Sequence, residues 1–286
     1  LNSADEDGFE TAEEASEFYR EVLEQVGEFA ATEVAPYAAS LDREEPQLVD
    51  GEVRSSQRMD QIFEQIAEMG LHGLCLPREL GGINCPTLIY FMAGELLGRA
   101  DQSVMTHYGF HAGVAATLML YGIEEGSTEF DRETGTMIRS RFESQIERIV
   151  EGKAWGSMDI TEPDAGSDMA ALRTKGWQED GQWWVTGTKI FITSGHGQYH
   201  LVVARTEESK DGDDPMAGLA GLSLFLVEAY SEDEAGNRTR HATVERVEEK
   251  LGHHASATVM VCFDRTPAQL IGERGNSRFD EQGEGG

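Results

Sequence analysis

The apolar residues of this chain change their spacing once, near Gly152, and that change limits the folds that the chain can adopt. Before this point they recur at the spacing of amphipathic helices, as in residues 18–29. After it, β-branched and aromatic residues alternate with polar ones, which is typical of half-buried strands. Helices followed by strands predict an α+β protein. The expected parts are an α-helical domain, a mainly antiparallel β domain (a small barrel or sandwich) and a disordered tail, at residues 1–151, 152–275 and 276–286.

The charge of the chain excludes several classes of partner. The sequence contains 53 acidic and 23 basic residues, a net charge of −30. Such a charge repels nucleic acid and anionic membranes, and no apolar run reaches the roughly 18 residues of a membrane-spanning helix.

The three cysteines show no paired spacing and no signal peptide is visible, which favours a cytoplasmic location. We also expect molar salt to stabilise the protein, because salt screens self-repulsion.

Two stretches of the β half have features of ligand-binding loops, residues 158–168 and 191–195. Pro163 fixes one φ angle, and Gly166 lets the backbone approach a flat or anionic ligand closely. Successive backbone N–H groups in such a turn can form a concave anion site. Composition alone favours an ordinary surface loop. The order of the residues is needed to distinguish such a loop from a ligand-binding one.

That order is more informative than the composition. The relevant segments, in chain order, are Thr161-Glu162-Pro163, Ala165-Gly166-Ser167-Asp168, Gly187-Thr188-Lys189 and Phe191-Ile192-Thr193. Together they resemble the acyl-CoA dehydrogenase family. The resemblance continues upstream and downstream and covers residues 11–275. Within the family it is greatest to the branch that includes the methylmercaptopropionyl-CoA dehydrogenases.

The resemblance implies FAD as the cofactor and assigns roles to individual residues. The hydroxyls of Thr161 and Thr193 would hydrogen-bond the flavin ring, and Ser167 would lie near the pyrophosphate and the acyl-CoA. Phe191 stands where many relatives carry tryptophan, and Asp164 stands where glycine is common. The full set of implied cofactor contacts is Met158, Ile160, Thr161, Gly166, Ser167, Phe191, Ile192 and Thr193, with Ser167 also contacting the substrate.

The implied function is FAD-dependent α,β-dehydrogenation of an acyl-CoA thioester. The family's base is a glutamate, usually in a C-terminal helical bundle, and this bundle is expected to be absent from the chain as given. We therefore assign no catalytic residue and expect this chain alone to be inactive. Two alternatives stay open, a non-catalytic remnant that binds flavin and acyl-CoA, and an enzyme similar to acyl-CoA oxidases. The implied partners are an acyl-CoA substrate, an electron-transfer flavoprotein as electron acceptor and, in the full-length form, further copies of the chain.

Other sequence patterns are weaker. His107 and His111 lie four residues apart on a predicted helix and so share one face, a spacing that also occurs in metal sites. They lack the glutamate of HExxH and an obvious third ligand, so we expect no metal. Ser167-Asp168 lacks the GxSxG turn of a hydrolase, and no GxGxxG segment follows a predicted strand.

Overall fold

The chain forms two compact units, each made of three segments. The computed structural model describes residues 8–207, 217–233 and 235–275, so the predicted disordered tail lies outside the described residues. The larger part of each unit is continuous. The helical unit comprises residues up to 45, 55–153 and 250–256, and the β unit comprises 46–54, 154–249 and residues from 257 onward.

Helices dominate the first half of the described chain and strands the second, which confirms the predicted α+β class. The helices α1–α6 span Ala12–Phe29, Ala38–Leu41, Gln57–Glu68, Thr87–Ala100, Gln102–Glu124 and Glu143–Val150. The strands β1–β13 span Gln47–Val49, Glu52–Arg54, Glu129–Phe130, Met137–Arg139, Gly156–Asp159, Lys175–Glu179, Gln182–Thr193, Tyr199–Arg205, Leu222–Glu228, Tyr230–Glu232, Arg238–Arg240, Ala242–Val247 and Thr258–Ile271. No helix of the described residues combines the length and hydrophobicity that a membrane crossing requires.

Helix α1 begins at a reciprocal cap. The Thr11 hydroxyl accepts a hydrogen bond from the Glu14 backbone N–H at 3.2 Å, and the Glu14 carboxylate accepts one from the Thr11 N–H at 3.3 Å. This arrangement satisfies two of the free N–H groups at the start of a helix. Val26 and Phe29 are buried on the inner face of α1. Beyond α1 the helix changes to π-helical and then 3-10 geometry around Pro36, which cannot continue the α-helical hydrogen bonding.

The core of the helical unit includes residues that are distant in the sequence. Helices α1, α3, α4 and α5 supply most of its apolar side chains, among them Ile62 and Leu97, which are fully buried. Ala255 packs into the same core from the segment 250–256. This segment connects β12 to β13, so a loop of the strand-rich half completes the helical core.

A charged hydrogen bond holds the segment 250–256 in the helical unit. His254 Nδ1 lies 2.8 Å from the Asp42 carboxylate, and His254 Nε2 lies 2.8 Å from the Lys250 carbonyl oxygen. Both partners can only accept, so both ring nitrogens must donate and the imidazole is protonated. The Asp42 carboxylate accordingly raises the pKa of His254.

The β unit is built on a closed barrel. The strands pair in the order β13, β7, β6, β8 and β9, and β9 pairs back onto β13. The pairs are antiparallel except β6 with β8, which is parallel. Strand β5 adds to β8 in parallel, and β12 adds to β13. This topology confirms the predicted mainly antiparallel β domain and shows it to be a barrel.

A bulge in β7 changes which residues face the barrel interior. Lys189 pairs with Val261 and Ile192 pairs with Val259, so two residues of β7 lie opposite one residue of β13. Val185 and Lys189 are buried before the bulge, and Ile192 is buried after it. Since an inserted residue reverses the alternation of faces, the bulge decides where the side chains at the end of β7 point.

Candidate functional site

A buried ion pair joins the loop after β5 to strand β7. Lys189 Nζ lies 2.8 Å from the Glu162 carboxylate, and the exposed fractions of the two side chains are 0% and 7%. The same ammonium donates a hydrogen bond to the Ile160 carbonyl oxygen at 2.8 Å. The lysine on β7 therefore binds both a side chain and the backbone of the loop.

The Glu162 carboxylate also binds the chain that follows the loop. It accepts hydrogen bonds from the backbone N–H groups of Arg173 at 2.7 Å and Thr174 at 2.9 Å. The backbone of Glu162 exchanges two further hydrogen bonds with Ala165, at 2.9 and 3.1 Å, which close the turn around Pro163. Three chain segments thus converge on one buried carboxylate.

Hydrogen bonds within this pair oppose the cost of burying its two charges. Burial raises the pKa of Glu162, but the hydrogen bonds from Lys189, Thr174 and Arg173 outweigh that effect and hold it below its usual value. Burial lowers the pKa of Lys189, and the adjacent carboxylate opposes that shift. Charge-assisted hydrogen bonds between opposite charges and to the backbone are the arrangement in which a buried pair remains charged.

The two threonines that the sequence singled out are half-buried on neighbouring segments. The Thr161 carbonyl oxygen accepts a hydrogen bond from the Ile190 N–H at 2.9 Å, which places Thr161 beside the bulge of β7. Thr193 ends β7 and pairs with Thr258. Within the described residues neither threonine hydroxyl has a hydrogen-bond partner. Both hydroxyls thus retain their hydrogen-bonding capacity.

Phe191 lies within the β7 bulge and faces outward. Its φ is +57°, a conformation uncommon for a bulky residue, and 60% of its side-chain surface is exposed. The next residue, Ile192, is buried in the barrel core. The bulge therefore separates an exposed aromatic ring from a core residue within one dipeptide, and the side chain of Ile192 has no free surface for a ligand.

The other predicted contacts are distributed along the loop. Met158 is half-buried in β5, where it pairs with Leu201, and Ile160 packs in a small apolar cluster around Ala165. Gly166 and Ser167 are exposed, and a Cβ added at Gly166 would meet no atom within 4 Å. The structure thus brings residues 160–162 and 189–190 together by direct hydrogen bonds, whereas Gly166 and Ser167 lie further along the loop.

Lys189 and Glu162 each stand in one of the motifs that indicate the family, but their pairing was not predicted from the sequence. The sequence does indicate that Lys189 is buried, because Lys189 and the buried Val185 are four residues apart and so lie on the same face of strand β7. A lysine on the inward face of a strand requires a buried partner. Glu162 could not be identified as that partner from spacing, since 27 residues separate the two side chains.

A second buried polar cluster lies on β5 and β8. Ser157 donates to Asp159 at 2.6 Å, and both side chains contact His200 Nδ1, at 3.2 and 2.9 Å. A hydrolytic triad places its serine and its aspartate on opposite ring nitrogens of the histidine. Here they share one nitrogen, and all three residues are buried. The cluster is therefore a structural network between two parallel strands.

The helical unit buries a group of imidazoles. The rings of His72 and His111 stack at 4.8 Å with their Nδ1 atoms 3.1 Å apart, and His107 and Phe63 pack beside them. One Nδ1 must donate and the other accept, so the accepting ring is uncharged. Burial lowers the pKa of His72 to about 4. Burial, together with the Lys250 charge, lowers the pKa of His107 to about 4.

These histidines do not form a recognisable metal site. Among the described residues no group of three or more His, Cys, Asp or Glu side chains is arranged to hold a metal ion. The HxxxH spacing of His107 and His111 instead places both rings in the packed interior of the helical unit.

Comparison with known proteins finds two consecutive family matches. The acyl-CoA dehydrogenase N-terminal domain matches residues 16–130, and the acyl-CoA dehydrogenase middle domain matches 157–266. The 3-methylmercaptopropionyl-CoA dehydrogenase of Ruegeria pomeroyi is 32% identical over 262 residues, which cover 89% of this chain and 41% of the relative. Other curated relatives are matched over 50% and 57% of their lengths, so this chain spans about half of the proteins it matches.

Solved structures share the same fold. Butyryl-CoA dehydrogenase from Megasphaera elsdenii superposes with a TM-score of 0.70 at 23% identity, over 96% of this chain and 62% of that one. A glutaryl-CoA dehydrogenase from Mycobacterium smegmatis, solved in complex with FADH2, superposes with a TM-score of 0.62 at 19% identity, over 91% of this chain and 57% of that one.

Proposed function

Because the chain belongs to the acyl-CoA dehydrogenase family, we propose that it supplies the flavin-binding and acyl-CoA-binding parts of an enzyme that oxidises an acyl-CoA thioester between its α and β carbons. When bound, FAD would supply the electron acceptor for that oxidation. The 3-methylmercaptopropionyl-CoA dehydrogenase relative supports an acyl-CoA thioester as the substrate.

The observation that carries the proposal is the pair of unpartnered hydroxyls beside an exposed aromatic ring. Thr161 and Thr193 are half-buried and retain free hydrogen-bonding capacity, and Phe191 presents an exposed face on the intervening bulge. A flat, polar-edged ring needs this combination of a hydrophobic surface and a few fixed hydrogen-bonding groups. This combination supports a flavin as the proposed ligand.

The roles of the other residues follow from their exposure. Ser167 lies on the exposed part of the loop and is proposed to contact the diphosphate and the acyl-CoA, and the exposed Gly166 leaves the backbone accessible there. Met158 and Ile160 are proposed to contact the ring through their backbone. Ile192 is proposed to act through its backbone alone, because its side chain is buried in the barrel core.

Glu162 is not proposed as the base that removes the α-proton. Its carboxylate is buried, with 7% of the side chain exposed, and accepts hydrogen bonds from one ammonium and two backbone N–H groups. A general base must reach the proton that it abstracts. The contacts of Glu162 instead indicate a structural role, because they hold the loop to strand β7 and to residues 173 and 174.

The test is spectroscopic. The purified protein is incubated with FAD, freed of unbound cofactor and mixed anaerobically with a panel of saturated acyl-CoA thioesters. Retained flavin absorbance establishes cofactor binding, and bleaching by one thioester establishes oxidation of that substrate. In a form of the protein that also carries the family's base-bearing C-terminal helical bundle, Thr193→Val should perturb the flavin spectrum and slow bleaching, because the loss of one hydrogen bond in a dry site costs about 1–3 kcal/mol.

A matched control is Thr188→Val on the same strand, whose hydroxyl contacts Cys262 instead of the loop. This variant should keep the wild-type spectrum. A protein that retains no flavin would refute the proposal. Flavin that binds and is not bleached would identify a binding module, and rapid reoxidation by O2 would identify an oxidase.

The partners are proposed on the same basis. An electron-transfer flavoprotein is proposed as the electron acceptor and homo-oligomers as the assembled form of the full-length protein. Turnover that depends on added electron-transfer flavoprotein, and a light-scattering mass that is a multiple of the chain mass, would support these two assignments.

A further inference from the structure

Lys189, which is paired with Glu162, also fixes the orientation of the peptide group between Ile160 and Thr161. The Ile160 carbonyl oxygen points at Lys189 Nζ, 2.8 Å away. The described chain contains no cis peptide bond, so the N–H of Thr161 points in the opposite direction across the same planar peptide group. The lysine thereby sets the direction of a backbone donor that it does not touch.

The next peptide group is fixed from β7 as well. The Thr161 carbonyl oxygen accepts from the Ile190 N–H at 2.9 Å. The N–H of Thr161 itself has no acceptor among the described residues. Thr161 is thus held by its two flanking carbonyl groups, and its own N–H is left available on the side away from Lys189.

We propose that Lys189 and Glu162 are positioning residues for the cofactor, and that they orient the Thr161 N–H as a donor to the polar edge of a bound flavin. This inference rests on the proposed function. Glu162 fixes the lysine and closes the turn to residues 165, 173 and 174, and Lys189 fixes the peptide group that carries the donor.

The chemistry favours a lysine in this role over a neutral donor. Because Lys189 has no exposed surface, its ammonium has no water to bind and its hydrogen bonds to Glu162 and Ile160 must be made within the protein. A charged donor also binds a carbonyl oxygen more strongly than a neutral one. We therefore expect the direction of the Ile160–Thr161 peptide group to be the same before and after the cofactor binds.

The experiment compares wild type with Lys189→Met, which keeps the length of the side chain and removes the donor. In the FAD-free protein, hydrogen–deuterium exchange of peptides covering residues 158–168 should accelerate in the variant. FAD affinity, measured by quenching of flavin fluorescence, should weaken about tenfold, which is the loss of one hydrogen bond of about 1.4 kcal/mol.

Two further variants separate positioning from general stability. Val185→Ala opens a cavity on the same strand without touching the loop, and it should bind FAD as wild type does even where its melting temperature falls equally. The double variant Lys189→Met with Glu162→Gln removes the unpaired charge. It should recover thermal stability and still bind FAD weakly, since the bond to the Ile160 carbonyl is not restored.

The outcomes distinguish this inference from the proposed function. If wild type binds no FAD, the proposed function fails, while the exchange measurement still tests the orientation of the loop. If wild type binds FAD and Lys189→Met matches it in affinity and exchange, the inference is overturned and the proposed function stands. Equal loss of affinity in Val185→Ala would also overturn it. Should Lys189→Met not fold, Lys189→Arg keeps the charge and should show the same changes to a smaller extent.

Discussion

Both units bury titratable side chains, but the β unit keeps a pair of opposite charges whereas the helical unit keeps neutral histidines. The β unit buries an ammonium and a carboxylate together and engages them with three backbone groups. The helical unit buries imidazoles that pack against each other and Phe63, and burial keeps two of them neutral near pH 7. A residue that cannot easily lose its charge needs a partner, whereas histidine can enter the core by losing a proton. The two units should therefore respond differently to mutation, acid and salt.

The largest expected effect comes from breaking the charged pair. Lys189→Met leaves the Glu162 carboxylate buried without its counterion, which typically costs roughly 3–5 kcal/mol. The four tryptophans of the chain are Trp155, Trp177, Trp183 and Trp184, all in the β unit, so tryptophan fluorescence during urea unfolding reports on the affected unit. The double variant Lys189→Met with Glu162→Gln should recover most of the lost free energy of unfolding. A midpoint within error of wild type for Lys189→Met would mean that the pair is not charged.

Acid should weaken the helical unit first. Its histidines His72 and His107 have a pKa of about 4 when folded and 6.5 when unfolded, so the unfolded state takes up protons first. Their stability contribution is complete above pH 6.5 and is lost as the pH falls towards 4, by roughly 3 kcal/mol for each histidine.

The measurement is the unfolding free energy between pH 4 and 7, followed by far-ultraviolet circular dichroism and by tryptophan fluorescence. Since hydrogen bonds hold the pKa of Glu162 below its usual value, the β unit should keep its ion pair to a lower pH than an ordinary glutamate would allow. His107→Gln should reduce the pH slope of the circular dichroism transition by about one proton. A fluorescence transition that precedes the circular dichroism transition would contradict the contrast between the units.

Salt should act on the surface and leave the buried pair unchanged. At a net charge of −30, molar KCl is expected to raise the melting temperature by a few degrees, because it screens repulsion between exposed acids. The difference between wild type and Lys189→Met should stay constant across the series. If the difference in melting temperature between wild type and Lys189→Met became smaller as KCl increased, solvent ions would have to reach Lys189.

The smallest effect is expected at the exposed pair of Asp42 and His254. Asp42→Asn should lower the pKa of His254 towards its usual value, which NMR titration of the ring can follow. His254 has a raised pKa, so its contribution to stability is present below pH 6.5 and is lost as the pH rises through the folded value. His253→Gln, one residue away, is the control. An unchanged His254 titration in Asp42→Asn would exclude the ionic contact.

The sequence predicted the class of fold because period 3.6 and period 2 are local properties. A helical domain followed by a β domain is confirmed. Closure of the barrel depends on β9 pairing with both β8 and β13, and no local pattern encodes that pairing. The interchange of residues 46–54 and 250–256 between the units is likewise a tertiary property.

The candidate site divides in the same way. The resemblance selected Thr161, Thr193 and Phe191 because their order in the chain matches the family, and their cofactor contacts remain predictions. Their arrangement depends on the bulge in β7 and on the pair of Lys189 with Glu162. A bulge is invisible in the sequence because the inserted residue can be of any type. A buried pair with a separation of 27 residues needs the fold before it can be found.

The interchanged segments also determine when each unit can be completed during protein synthesis. The contact of Asp42 with His254 spans 212 residues, and that of Glu52 with Arg240 spans 188. An early-synthesised helical region lacks Ala255 and His254 until the ribosome has passed residue 256. Contacts of such high sequence separation slow folding and expose apolar surface in the meantime. The helical core is therefore expected to be completed only after the segment 250–256 has emerged from the ribosome.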